Sequence, residues 1–96
     1  MKYEWNRGKA AQNLRKHRVS FAQAASVFLD PLALTFADPD HSAHEDREIT
    51  IGCSTRQGVL FVAHCERGDR VRLISARKAT RRERRQYEQG IGLHRG

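Results

Sequence analysis

Hydrophobic residues recur along the first third of the chain at helical spacing. The segment RGKAAQNLRKH is rich in helix formers, and Ala10, Ala11 and Leu14 mark its apolar side. A second helix begins at Ser20, which has the capping-box spacing with Gln23, and the pair Asp30-Pro31 ends it. Its apolar residues follow the i, i+3, i+4, i+7 pattern of an amphipathic helix, at Phe21, Ala24, Ala25 and Phe28.

The pattern then changes to the alternation of β-strands. Turn signals at Gln57-Gly58 and around Gly68 separate apolar segments from one another. The predicted strands are Ala33 to Phe36, Ile49 to Cys53, the doubly apolar VLFVAHC at 59–65, and RVRLIS at 70–75. Strands joined by such short connections form hairpins, so we expect an antiparallel meander of four strands.

A last, strongly basic helix completes the predicted order of elements. Thr80 and Glu83 form its capping box, and the helix is expected to end near Glu88. The sequence therefore predicts an α+β fold, with a short strand or coil, two N-terminal helices, the four-stranded antiparallel meander and a C-terminal basic helix. Residues 1–89 are expected to form a single domain, followed by a flexible C-terminal tail at 90–96.

The hairpin around Gly68 carries a prediction about two faces of the sheet. With an odd number of loop residues, Glu66 lies opposite Arg70 and His64 opposite Arg72, so these four side chains share one face. The other face is then wholly apolar, formed by Phe61, Ala63, Cys65, Val71 and Leu73. A loop of even length would mix polar and apolar side chains on both faces, which favours the odd register.

Composition indicates a polyanionic or acidic partner. The 96 residues carry a formal net charge of +7, and the isoelectric point is near 10.3. The positive charge is densest in ARKATRRERRQY at 76–87, where self-repulsion is relieved by a nucleic acid or an acidic protein surface. The longest apolar run, Val59 to Ala63, is too short to span a membrane. Cys53 and Cys65 are expected to be buried thiols of a cytoplasmic protein.

The predicted polar face has the residue types that cleavage of RNA requires. Attack by the 2′-OH needs a base, a leaving-group acid and cations on the phosphorane. The catalytic candidates are His64 and Glu66 for proton transfer, with Arg70, Arg72, Arg77 and Arg81 for the phosphate. The RNA-binding candidates are Lys78, Arg82, Arg84 and Arg85. No metal or other cofactor is expected.

The same residues also fit other interpretations. His64 could be a hydrogen-bonded strand histidine, Glu66 and Arg70 a cross-strand ion pair, and the helix arginines a solvated face. The chain would then be a non-catalytic basic module that binds RNA or DNA, or a subunit that docks an acidic protein. His41 and His44 lie in an acidic loop that has no recognised metal-binding spacing.

Nearly the whole chain, Tyr3 to Glu88, resembles the BrnT family of type II toxins, bacterial ribonucleases with a RelE-like fold. The resemblance rests on YEWNRGKAAQNLRKHRVSFAQAASVFLDPLALTFADPDHS, ITIGCS and VLFVAHCERGDRVRLISARKATRRERRQYE, and is most specific in RKHRVSF and ISARKATRRERRQYE. It implies an endoribonuclease that cleaves mRNA, on the ribosome or free, and inhibits translation. It also implies a BrnA-like antitoxin with a ribbon-helix-helix domain, through which the complex binds promoter DNA.

Overall fold

A five-stranded mixed sheet forms the centre of the protein. The computed structural model describes residues 2–40 and 46–95, with side chains described as far as residue 90. The strands are β1 (Lys2–Glu4), β2 (Leu34–Ala37), β3 (Arg47–Cys53), β4 (Val59–Arg67) and β5 (Arg70–Lys78). Their order across the sheet is β1-β5-β4-β3-β2, and β1 runs parallel to β5 while the other neighbours are antiparallel.

The predicted meander is therefore present as β2 to β5, but the prediction of a four-stranded antiparallel sheet with the helices at the N-terminus was wrong. The fifth strand, β1, precedes both helices and pairs Lys2 with Arg70 and Glu4 with Arg72. A three-residue strand is too short to show alternation. Its partner is also distant in sequence, so local pattern gives no sign of the pairing.

Three helices flank the sheet: α1 (Arg7–His17), α2 (Phe21–Ser26) with a 3-10 turn at Val27–Leu29, and α3 (Arg81–Arg95). The Ser20 hydroxyl caps α2 by accepting from the Gln23 N–H, whereas the Gln23 side chain contacts Thr55 and the Arg56 N–H instead of completing a box. At α3 the predicted capping box is complete, since Thr80 and Glu83 bond each other's backbone N–H.

The third helix continues through Arg95, beyond the expected end at Glu88. Gly90 does not stop it. This glycine allows a close approach instead, because a Cβ there would lie 3.1 Å from Leu34 Cδ2 of β2. The division between a domain ending at residue 89 and a flexible tail stays a prediction. Within the described residues, no helix is both long enough and apolar enough to cross a membrane.

Both faces of the sheet carry a core, which is the reason the predicted division into one polar and one apolar face fails. Under α1 and α2 lies a cluster that includes Val19, Ala24, Leu60, Val62 and Leu73. Under α3 lies a second cluster of Ile49, Ile51, Ala63 and Tyr87. A central strand that is covered on both sides carries apolar residues at successive positions instead of alternating ones, as VLFVAHC does.

The β4–β5 hairpin adopts the even register, so the odd-loop prediction was wrong. Arg67 pairs with Arg70 across the two-residue turn Gly68-Asp69, and His64 then lies opposite Leu73. Gly68 has a φ of 64°, as glycine at the first position of a two-residue hairpin turn allows. A β-bulge follows, because Ala63 pairs with Ser75 and leaves Ile74 as the extra residue. The bulge exchanges the faces of β5 once more.

His64 belongs to the core beneath α2. Its ring is 3% exposed, packs edge-on against Phe28 with centroids 4.9 Å apart, and bonds the Thr50 hydroxyl through Nε2 at 2.7 Å. Nδ1 is buried without a hydrogen-bond partner among the described residues. Burial lowers the pKa of His64 to about 4, so the folded protein holds this ring neutral.

Asn13 of α1 fastens that helix to the exposed edge of β5. Its side chain accepts from the Ala76 N–H at 3.0 Å and donates to the Ala76 carbonyl at 2.8 Å, as a neighbouring strand would. The same amide nitrogen donates to the Val19 carbonyl at 2.9 Å. Asn13 is buried, and one side chain therefore satisfies three backbone groups from two distant segments.

Tyr87 fastens α3 to the opposite face. Its hydroxyl donates to Asp30 Oδ2 at 2.6 Å, and the same oxygen accepts from the Cys53 N–H at 2.8 Å. Burial, together with the hydrogen bond to Asp30, raises the pKa of Tyr87. The tyrosine is therefore a neutral donor that ties α3 to the end of β3.

We predict that Asn13→Asp lowers the free energy of unfolding by about 2–4 kcal/mol. The carboxylate keeps the acceptor for Ala76 N–H but loses the amide donor, which leaves two carbonyls facing a negative charge. Urea denaturation at neutral pH measures the change. Gln12→Ala, on the same helix and exposed, is the matched control and should change stability by less than about 0.5 kcal/mol. Equal stability of the two variants would show that the Asn13 contacts are energetically unimportant.

We also predict a stability loss on acidification that depends on His64. Unfolded histidine has a pKa near 6.5, above the folded value of about 4. The unfolded state therefore binds more protons between these values, and stability falls as the pH drops from about 6.5 to about 4, by roughly 2–3 kcal/mol. Urea titrations of the wild type and His64→Gln across this range isolate the contribution. Parallel pH curves for the two proteins would contradict it.

Candidate functional site

The predicted catalytic constellation does not share one face of the sheet. His64 lies on the α1/α2 face opposite Leu73, and Glu66 on the same face lies opposite Val71. Arg72 is instead the cross-strand neighbour of Cys65. The even register thus separates His64 and Glu66 from Arg70 and Arg72. The catalytic roles of these residues stay predictions, but the shared face on which they were inferred is absent.

The arginines of the hairpin end contact the N-terminal strand. Arg72 Nη1 donates to Glu4 Oε2 at 3.3 Å across the parallel β1–β5 pair, and Arg70 lies beside Lys2 and is exposed. Glu66 is exposed at the end of β4. The charge of Arg72 is therefore partly balanced within the fold, whereas Arg70 faces solvent.

Arg77 is held rigidly where β5 leads into α3. Two of its nitrogens donate to the Glu83 carboxylate at 2.8 and 2.9 Å, and its guanidinium carbon lies 4.0 Å from the centroid of the Phe61 ring. The paired hydrogen bonds raise the pKa of Arg77 and lower that of Glu83. This arrangement fixes the guanidinium beside a groove of about 250 Å³ whose lining includes Phe61, Ala63, Ser75 and Asp40.

The basic helix presents its cations to solvent along one side. Arg81, Arg84, Arg85 and Glu88 line a cleft of about 330 Å³, at the i, i+3, i+4 and i+7 spacing of one helix face. Arg82 and Lys78 are also exposed. The structure thus groups Arg81 with two of the predicted RNA-binding residues. It leaves His64 buried in the core.

A second polar groove lies between α1 and β5, where no site residue was predicted. It has a volume of about 330 Å³ and is lined by Lys9, Gln12, Asn13, Lys16, His17, Ile74 and Ser75. Two of these residues, Ile74 and Ser75, belong to the β-bulge. Ser75 also borders the Arg77 groove on the other face, so the two grooves meet at the edge of β5.

Helical spacing could have revealed this groove from the sequence. Lys9, Asn13 and His17 follow one another at i+4, and Gln12 and Lys16 form the adjacent row. This polar stripe lies beside the few apolar residues of α1, as on a helix that borders a solvent-filled groove. The prediction considered only the apolar side of α1, and the stripe was missed.

Within the portion of the chain that the structure describes, no three His, Cys, Asp or Glu side chains are grouped as a metal site. His41 and His44, considered above for such a role, lie outside the described residues. Cys53 and Cys65 are free thiols, the first exposed and the second buried, so burial was correctly predicted for only one of them.

Comparison with known proteins identifies a protein family and a similar solved structure. Residues 5–83 match the family model described as the ribonuclease toxin, BrnT, of type II toxin-antitoxin systems. The chain is also similar to the crystal structure of the Brucella abortus ribonuclease toxin, BrnT, at 25% sequence identity and a TM-score of 0.66. That match covers 84% of this chain and 99% of the Brucella chain. A search among curated proteins gives no match.

The family match extends from Trp5, directly after β1, to Glu83 in the first turn of α3, and so includes the entire α1–β5 groove and Arg77. This confirms the family resemblance seen in the sequence. The chain belongs to the BrnT family of ribonuclease toxins from type II toxin-antitoxin systems.

Proposed function

We propose that this protein is an endoribonuclease that cleaves mRNA through attack by the 2′-OH, without a metal ion, and thereby inhibits translation. The observation that carries the proposal is the group of arginines that extends from Arg77 along the exposed side of α3. The chain also belongs to the ribonuclease toxin family. A polyanion is the partner that relieves the repulsion among these charges.

In this proposal the cations act on the phosphate. Arg77 is fixed by Glu83 and Phe61, and Arg81 begins the next helix beside it. A fixed guanidinium suits a phosphate of the RNA, because its bidentate geometry is set before the RNA binds. Lys78, Arg82, Arg84 and Arg85 contribute sequence-independent attraction for the RNA backbone.

The burial of His64 argues against its use as the proton-transfer group. His64 is 3% exposed, and its Nε2 already contacts Thr50, so RNA cannot reach the ring without displacement of Phe28 or β3. Glu66 is accessible, so of the two candidates on β4 it is the one that RNA could contact without such a displacement. Tyr87 is occupied by Asp30, which argues against its use in catalysis.

We predict that the wild type cleaves RNA in the presence of EDTA and leaves a 2′,3′-cyclic phosphate, or its opened product, together with a 5′-hydroxyl. A single 2′-deoxy substitution at the scissile nucleotide removes the nucleophile and should abolish cleavage there. Denaturing gels and mass spectrometry of the fragments identify the termini. Loss of activity in EDTA, or cleavage of an all-deoxy strand, would overturn this mechanism.

A non-catalytic basic module is the alternative that the exposed α3 cations favour. The same assay separates the two functions, because a binding module shifts RNA on a gel but generates no fragments. Arg84→Ala should reduce the salt dependence of binding by about one phosphate contact. Arg56→Ala, an exposed arginine on the β3–β4 loop, is the matched control.

The family implies an antitoxin partner, and we propose a BrnA-like protein whose ribbon-helix-helix domain carries the complex to promoter DNA. An acidic antitoxin segment on the cationic surface would supply affinity and inhibition together.

We predict that the purified cognate antitoxin suppresses RNA cleavage stoichiometrically. Promoter binding should require the antitoxin, since the toxin reaches DNA only through it. Cleavage assays and promoter gel shifts across a titration of antitoxin measure both effects. Undiminished cleavage at saturation would contradict the proposed mode of inhibition.

A further inference from the structure

We propose that RNA is cleaved in the groove between α1 and β5, with His17 as the group that takes the proton from the 2′-OH. In this inference Lys9 and Lys16 contact the scissile phosphate. It rests on the proposed ribonuclease function and assigns a place and a base to that reaction.

The groove combines an imidazole ring with cations that none of the described carboxylates neutralises. Arg72 and Arg77 are paired with Glu4 and Glu83, whereas within the described part of the chain no ion pair involves Lys9, Lys16 or His17. The two lysines are exposed and His17 is half-buried. A volume of about 330 Å³ is of the size that holds a small ligand group.

The backbone that carries His17 is fixed on both sides. Arg18 ends α1 in the left-handed conformation with a φ of 62°, and its N–H donates to the Leu14 carbonyl at 2.9 Å. The Arg18 carbonyl accepts from Gln57 Nε2 at 2.8 Å, and Asn13 holds the next carbonyl, that of Val19. These contacts fix the backbone from which the histidine side chain extends, before RNA binds.

The second wall of the groove, formed by β5, lies at an edge of the sheet that an RNA strand could cross. The strand β1 pairs only with Arg70 to Arg72 of β5, so the later part of β5 remains an edge. Ser75 lies on that edge beside the bulge and borders both the α1 groove and the Arg77 groove. An RNA strand crossing there would place successive phosphates near the lysines on one face and Arg77 on the other.

Among the described side chains, the other basic surfaces have no accessible histidine. The α3 cleft offers Glu88 and three arginines, and a guanidinium does not release its proton in proteins. His64 has the chemistry but not the access. Among the described side chains, the α1 groove is where a partly exposed histidine and unpaired cations meet.

The step balances without any further reagent. As the 2′ oxygen bonds to phosphorus, its proton passes to the neutral imidazole of His17. The bond from phosphorus to the 5′ oxygen breaks, and that oxygen takes a proton from a lysine ammonium of the groove. The products are a 2′,3′-cyclic phosphate and a 5′-hydroxyl, and exchange with water restores both side chains.

The test measures single-turnover cleavage and RNA affinity of His17→Ala and Lys16→Ala, with Lys2→Ala as an exposed lysine outside the groove. His17→Ala should cleave at least about 100-fold more slowly, with RNA affinity changed by less than about threefold. Added imidazole should restore part of its rate, which it cannot do for a merely structural loss. Lys16→Ala, a surface change that leaves the fold intact, should lower the rate at least tenfold, and Lys2→Ala should retain wild-type activity.

Distinct results separate failure of this inference from failure of the proposed function. Wild-type cleavage with the predicted termini, combined with full activity of His17→Ala and Lys16→Ala, would overturn the groove assignment alone. A 100-fold loss confined to His64→Gln or Glu66→Gln would return proton transfer to β4. A slow His17→Ala that imidazole leaves unchanged, beside a fully active Lys16→Ala, would also count against the groove. No cleavage by the wild type would overturn both proposals.

Discussion

The contact of Asn13 with Ala76 is the interaction on which the arrangement of the helices and the strand edge depends. A sheet edge displays unpaired N–H and C=O groups that must be satisfied, and β1 satisfies only the first part of β5. Asn13 takes the place of a strand residue at Ala76 and binds the connection to α2 through Val19. The edge is thereby closed at one point while a solvent-filled groove remains around it.

Two helix layers on one sheet explain both the stability and the charge distribution of the fold. The paired cores occupy the centre of each face, so polar chemistry is displaced to the strand ends, the β5 edge and the outer sides of α1 and α3. Arg77 lies where these regions meet, and its Glu83 and Phe61 contacts join the last strand to the last helix. The cations can be numerous because most of them face solvent.

Local signals were sufficient for most elements but not for the way they assemble. Capping at Ser20 and Thr80, the apolar periodicity of α2 and the strands from β2 to β5 were all readable, since each depends on neighbouring residues. The register of the β4–β5 hairpin was not, because the prediction assumed that one face of the sheet is open. Gly68-Asp69 is itself a two-residue turn signal. This turn sets the register of the folded hairpin, whereas the expected separation of polar and apolar faces does not.

The consequences for the candidate site follow from the register and from the cores on both faces of the sheet. The even register places Leu73 instead of Arg72 opposite His64, and packing against Phe28 buries the ring. The start of the basic helix was predicted correctly from its local capping box, but the helix continues to Arg95 instead of ending near Glu88. The polar stripe of α1 is readable from helical spacing, but the opposite wall of the groove needs the bulge at Ile74 and a contact between segments far apart in sequence, which leave no local pattern.

The separation of the two walls of the groove in the sequence determines when the groove can form during synthesis. One wall comes from residues 9–17 and the other from Ile74 and Ser75, and Lys2 pairs with Arg70. A nascent chain therefore carries both helices of the first core long before the strand that completes the groove leaves the ribosome. Such long-range closure belongs to the slow, late part of folding. Incomplete chains would thus lack the assembled groove.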